Sequence, residues 1–164
     1  MATLAELDRD GSIHKLELDL PNRGQPERLF FASPRLRDWL RGGLLKVASE
    51  WNVEISPDEQ VADLLEEFCG GSELAAGRRF HILHPGEKGV WELKTPDVRV
   101  FGWFVHRDCF VGYVGDSAKR VKQHGLYTGY VGETVRFRDA LPLDPPKFVA
   151  DEDPHAVVSA YHVP

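Results

Sequence analysis

GVWELKTPDVRVFGWFVHRDCFVGYV, residues 89–114, is the stretch whose reading decides the fold. It contains three runs rich in β-branched and aromatic residues: Val90–Lys94, Val98–Val105 and Cys109–Val114. Thr95-Pro96-Asp97 and His106-Arg107-Asp108 separate them, and both triplets favour turns. In the long middle run Phe101, Trp103 and Val105 fall on one face and Val98, Val100 and Phe104 on the other. A period of two with both faces apolar predicts a central strand, with helices covering one face. Upstream, Arg79–Leu83 reads as a fourth strand, joined through the turn Pro85-Gly86-Glu87-Lys88-Gly89. Four short strands with short connections predict an antiparallel meander.

Two helices are predicted before the meander. Ser33 is a good N-cap and Pro34 suits the first helical position. Leu36, Trp39, Leu40, Leu44 and Val47 follow at helical spacing, and Gly42-Gly43 weakens or splits that run. The second helix opens on Ser56-Pro57-Asp58-Glu59, with an N-cap, a first-turn proline and a capping-box glutamate. Val61, Leu64, Leu65 and Phe68 form its stripe, and Gly70-Gly71 ends it.

Nearer the N-terminus, Ile13–Leu20 alternates Leu16, Leu18 and Leu20 against Lys15, Glu17 and Asp19, which predicts a strand. Pro21–Pro26 reads as a turn, Leu29–Ala32 as a short extended piece, and residues 1–12 as loosely ordered. After the sheet, Asp116 or Ser117 can cap a short helix over Ala118–Gln123. Residues 126–140 fit a helix or a loop, and the prolines at 142, 145 and 146 exclude a regular helix beyond. The expectation is an α+β fold: helices packed on a small antiparallel meander. Its parts are an N-terminal extension (1–55), a core (56–140) and an acidic tail (141–164).

The chain of 164 residues suits one domain and is long enough to bury a core. No apolar run approaches a membrane span and no secretory leader is evident, so a cytoplasmic protein without a membrane partner is expected. Cys69 and Cys109 have no second pair beside them, which argues against a zinc knuckle or a disulfide scaffold and for two small buried hydrophobes. The net charge of −6 hides an asymmetry. Residues 74–138 carry 11 Lys and Arg against 6 Asp and Glu, while both flanks are acidic. That basic middle either presents a local anion-binding surface or is neutralised by the flanks on folding.

Several side chains in the basic stretch are candidates for chemistry. Lys94 ends the second strand, and Arg99 shares a register with Phe101 and Trp103. Arg99 is either an anion clamp or an arginine lying over apolar surface. Lys119, Arg120, Lys122 and His124 are followed closely by Tyr127 and Tyr130. Cations interleaved with tyrosines suit phosphate and base contacts, or form a solvated helix face. His81-x-x-His84 has ligand-like spacing, but residues three apart on a strand point to opposite faces, so no metal is expected. No phosphate-cradling glycine loop, dinucleotide fingerprint, nucleophile-elbow serine or His-Glu-x-x-His helix is present, and no cofactor is expected.

The string from Gly89 to Phe104 resembles the central strands of the RelE/ParE toxin superfamily, particularly its phage-derived HigB-like branch. The helix ending at Cys69, the lead-in Ser72–Arg79 and the segment Ala118–Lys122 resemble that family's helix, basic approach and later lysine-rich segment. The likeness spans roughly residues 57–125. It implies a RelE-like toxin of a toxin–antitoxin pair, acting as a metal-free mRNA endoribonuclease alone or on the ribosome. In such cleavage the ribose 2′-OH attacks the adjacent phosphate. The implied roles are a phosphate clamp for Arg99, charge neutralisation for Lys94, a later cation from Arg120 or Lys122, and an acid or base from His124 or Tyr127. Arg78, Arg79, Lys119 and Tyr130 would contact RNA. The alternative is a catalytically inactive module on the same fold that binds a cognate antitoxin protein or a host factor.

Overall fold

The computed structural model describes residues 1–20, 26–49 and 54–164. The turn expected at Pro21–Pro26 lies, apart from Pro26, outside the described residues. The chain opens with α1 (Leu4–Asp10), β1 (His14–Lys15), β2 (Leu29–Ala32), α2 (Pro34–Arg41) and α3 (Pro57–Cys69). There follow β3 (Leu74–Ala75), β4 (Phe80–Ile82), β5 (Trp91–Lys94), β6 (Val98–His106) and β7 (Cys109–Ser117). The chain ends with α4 (Ala118–Gln123), α5 (Tyr127–Ala140), α6 (Pro154–Val157) and β8 (Tyr161–His162).

The fold is mixed α+β, with a mostly antiparallel sheet in the order β1-β2-β7-β6-β5-β4. The expected meander is present, since β4 to β7 pair as antiparallel neighbours in chain order. Two strands from the first 55 residues extend it. β2 lies parallel to β7, with Leu29 opposite Cys109, and β1 pairs antiparallel with β2. β3 and β8 make a separate parallel ribbon.

Helices cover both faces of the sheet, not one as the sequence suggested. On one face Trp91, Leu93, Val98, Val100, Phe104 and Phe110 pack against α2 and α3 through Leu36, Val61, Leu64 and Phe68. On the other, Val90, Phe101 and Val114 lie beneath α4 and α5. Farther along that second face, Trp103, Cys109 and Val111 meet Leu7 of α1 together with Leu141 and Leu143. Both cysteines are free and buried, and burial raises the Cys69 thiol to about 11 and the Cys109 thiol to about 12.

A bulge in β7 fixes which residues share a face. Phe101 pairs with Val114, but the next pair is Gly102 with Gly112, leaving Tyr113 as the extra residue. The alternation of β7 therefore inverts at Tyr113. Before it, the odd-numbered Cys109 and Val111 face α1; after it, the even-numbered Val114 and Asp116 take that side. The bulge needs a strand with little bulk, because a Cβ on Gly102 would run into the Val111 carbonyl and the Phe110 ring.

The start of α2 docks on the bulge. Ser33 N–H donates to the Gly112 carbonyl (2.8 Å) and Ser33 Oγ to the Tyr113 carbonyl (2.6 Å). The same Oγ accepts from Leu36 N–H (3.0 Å), capping the helix as expected.

Three expectations are corrected and one open reading is resolved. Residues 1–12 are not loose: Thr3 and Glu6 form a capping box for α1, and Leu7 is fully buried. Ser56 precedes α3, but its side chain makes no capping bond. β1 ends at Lys15, although Leu16 N–H still donates to the Phe30 carbonyl (2.9 Å); Leu16, Leu18 and Leu20 pack on the core beyond it. The ambiguous 126–140 stretch is helical from Tyr127. Its inner stripe includes Thr134 and Arg138, polar residues that blurred the pattern. Thr134 Oγ1 donates to the Tyr130 carbonyl (2.7 Å), and Arg138 donates to the Lys88 carbonyl (2.6 Å) while stacking on Phe148.

Replacing Ser33 with Ala removes the cap and leaves the Tyr113 carbonyl without its donor. A loss of about 1 kcal/mol is expected from the cap alone, read as a lower urea midpoint with unchanged slope. Neither thiol should react with a thiol-specific reagent at pH 8 until denaturant is added; rapid labelling of the native chain would contradict the buried placement.

Candidate functional site

Register across the meander sets two rows of side chains on the α4–α5 face. One row is Lys94, Arg99 and Asp116; the next is His81, Glu92, Phe101 and Val114. Directly opposed residues of this kind have Cβ atoms about 4.5–5.5 Å apart. Asp116 joins the first row only because of the bulge at Tyr113.

Arg99 is 7% exposed. Its Nη1 donates to the Thr95 (2.6 Å) and Val98 (3.0 Å) carbonyls, so the guanidinium closes the β5–β6 turn. Its Nε lies 3.9 Å from Glu92 Oε2, an ion pair without a hydrogen bond. Glu92 is 3% exposed, and its other oxygen sits 4.0 Å from Lys94 Nζ. One buried carboxylate thus holds two cations. Burial lowers the proton affinity of Lys94; Glu92 opposes that shift, while the charges of Arg99 and Lys122 add to it. Lys122 therefore reaches this end of the sheet from α4.

Tyr127 is half-buried against the same group. Burial raises its pKa, the Glu92 charge raises it further, and Arg99 opposes. The Tyr127 and Tyr130 rings both pack on Phe101, with centroids 5.6 and 5.2 Å away. Tyr130 Oη donates to Asp116 Oδ2 (2.6 Å), and Arg120 Nε donates to the same oxygen (3.1 Å). Burial and this bond push the Tyr130 phenol up to about 12.

Two cavities flank the Thr95–Asp97 turn. One, about 550 Å³, is lined by Arg78, Arg79, Lys94, Thr95, Glu67 and His162. The other, about 510 Å³, is lined by Trp39, Lys46, Asp116, Lys119, Arg120 and Lys122 among others. The residues expected to act together are thus brought to one end of the sheet, but divided. Arg78, Arg79 and Lys94 share one wall and Lys119, Arg120 and Lys122 the other, with Arg99 in the row between them. Arg79 is also paired with Glu67 (3.2 Å). His124 ends α4, exposed and outside both cavities.

Two residues escaped the sequence reading. Glu92 stands between the apolar Trp91 and Leu93, and alternation along β5 places it on the face of Lys94. His81 was weighed only as a metal ligand with His84; register places it opposite Glu92. Among the described residues no group of three His, Cys, Asp or Glu could hold a metal ion, and no helix is long and apolar enough to cross a membrane. No family model, curated protein or solved structure matches the chain.

Tyrosine ionisation checks this geometry. The folded protein holds the Tyr130 proton more tightly than the unfolded chain, so the stability this contributes is complete below pH 10 and declines as pH rises towards 12. Asp116→Asn removes the carboxylate and should lower the Tyr130 pKa in a spectrophotometric titration. An unchanged curve would contradict the Tyr130–Asp116 bond.

Proposed function

We propose that this chain is a metal-free RNA endonuclease of the toxin–antitoxin kind, with its cleavage centre at the Lys94 end of the sheet. The supporting observation is that Lys94, Arg99 and Tyr127 converge on the single buried carboxylate of Glu92, with Lys122 near enough for its charge to act on Lys94. Lys94 and the exposed Lys122 would meet the phosphate and stabilise the charge that builds on its oxygens. Arg99, engaged with the turn, acts as a positioning residue that holds β5 against β6 and adds positive charge from beneath.

Attack by the ribose 2′-OH breaks the P–O5′ bond and leaves a 2′,3′-cyclic phosphate. One proton leaves the 2′-oxygen and one must reach the departing 5′-oxygen. His81 and Tyr127 border Glu92 and are the groups assigned to these transfers. Arg78, Arg79 and Lys119 line the flanking cavities, where the adjoining backbone phosphates would lie. The substrate is messenger RNA in the cytoplasm, and a cognate antitoxin would cover the same basic face.

A second reading has its own observation. The Arg99 guanidinium is bonded to carbonyls of its own turn instead of facing solvent. This favours an inactive module whose basic face binds an antitoxin or host protein.

Cleavage of a 5′-labelled mRNA fragment, free in EDTA and on ribosomes in magnesium buffer, separates the two. On the first reading wild type cleaves, Tyr127→Phe is slower by about 10²-fold or more, and Lys94→Ala is strongly impaired. RNA left intact by wild type, on ribosomes and off them, would remove the nuclease and leave the binding module.

A further inference from the structure

The cavity bounded by Trp39 shares only Lys122 with the groups assigned to the cleavage step, and its construction suits a particular ligand. Trp39 lies on α2 and is half-exposed, yet its indole is fixed at both ends. A Cβ on Gly43 would strike the pyrrole edge at Cδ1, and one on Gly115 would come within 2.6 Å of Cζ3. Both glycines thus make room for the ring where it stands. The aromatic wall is formed in advance, which lowers the entropy cost of stacking a ligand against it.

Around the indole stand Lys46, Lys119, Arg120 and Lys122. The carboxylates among them are turned to protein partners. Asp97 Oδ2 accepts from Ser49 Oγ (3.0 Å) and Gln60 Nε2 (2.7 Å), and Asp116 from Tyr130 and Arg120. The balance left facing the cavity favours an anion. Its volume of about 510 Å³ falls within the range of small-ligand sites. A flat aromatic wall with lysines at the rim matches a nucleobase carrying a phosphate.

We infer that this cavity is a nucleotide subsite: the base stacks on Trp39, and Lys46 and Lys122 meet its phosphate. The inference rests on the nuclease reading for its biological ligand, a nucleotide of the RNA next to the cleaved bond. Lys122 joins the two sites, because its charge also acts on Lys94.

The probe is adenosine 5′-monophosphate, with inorganic phosphate and adenosine as controls. The readout is the indole N–H resonance of Trp39, assigned by its loss in Trp39→Phe. The nucleotide should move this signal saturably, adenosine more weakly and phosphate not at all. Trp39→Leu should reduce affinity about tenfold or more. Because that change also touches packing at Gly115, Lys46→Glu, on an exposed side chain, provides a second variant and should weaken the nucleotide several-fold without altering the spectrum of the core.

A Trp39 signal that ignores the nucleotide overturns the subsite, even if the protein cleaves RNA. An equal shift with phosphate alone overturns base stacking. Nucleotide binding at Trp39 by a chain that leaves RNA intact keeps the subsite and removes only the nuclease.

Discussion

The bulge at Tyr113 is the constraint on which the rest of the molecule depends. β6 and β7 form the longest pairing of the sheet, and the extra residue inverts the alternation of β7 midway. The inversion lets one strand pack Cys109 and Val111 under α1 and still deliver Asp116 beside Arg99. Without it Asp116 would face α2, into the space occupied by Leu36 and Trp39. The small residues at Gly102 and Gly112 permit the close approach, and Ser33 supplies the donors that the displaced backbone requires. Helix α2 is thereby positioned by the same irregularity that builds the site.

Charge is organised around two buried carboxylates on this face. Glu92 holds Arg99 and Lys94, and Asp116 holds Arg120 and Tyr130. Each lies in a cross-strand row and draws at least one partner from another element. Glu92 gathers cations from β5 and β6 and lies against Tyr127 of α5; Asp116 ties α4 to α5. Removing Glu92 would leave the buried Arg99 without its carboxylate, which costs more than the original pair contributes; removing Asp116 would free the exposed Arg120 and leave the Tyr130 hydroxyl without its acceptor. The local excess of positive charge is thus partly internal, and the exposed cations that line the two cavities include Arg78 and Lys122.

The meander, its turns and helices α2 and α3 were legible because period-two and period-3.6 patterns are strong in Val98–Val105 and Val61–Phe68. What stayed hidden had physical causes. The bulge leaves no periodic signal, since Gly112 and Tyr113 read as ordinary strand. Helix α5 hides its inner face behind Thr134 and Arg138, whose polar groups find backbone partners only in the folded chain. The pairing of β2 with β7 joins segments some 80 positions apart, beyond the reach of local pattern. In the site, Lys94, Arg99 and Tyr127 are legible from the sequence. Glu92, which gathers them, was hidden between Trp91 and Leu93. The burial of Arg99 depends on the turn carbonyls it closes, and these are invisible without coordinates.

A crystal structure of the protein with a short RNA, methylated at the 2′-oxygen so that it cannot be cleaved, tests the account most directly. The account places one phosphate within hydrogen-bond distance of Lys94 and Lys122, with the blocked 2′-oxygen beside His81 or Tyr127. RNA bound on another face, or a phosphate contacted only by residues away from Glu92, would contradict it.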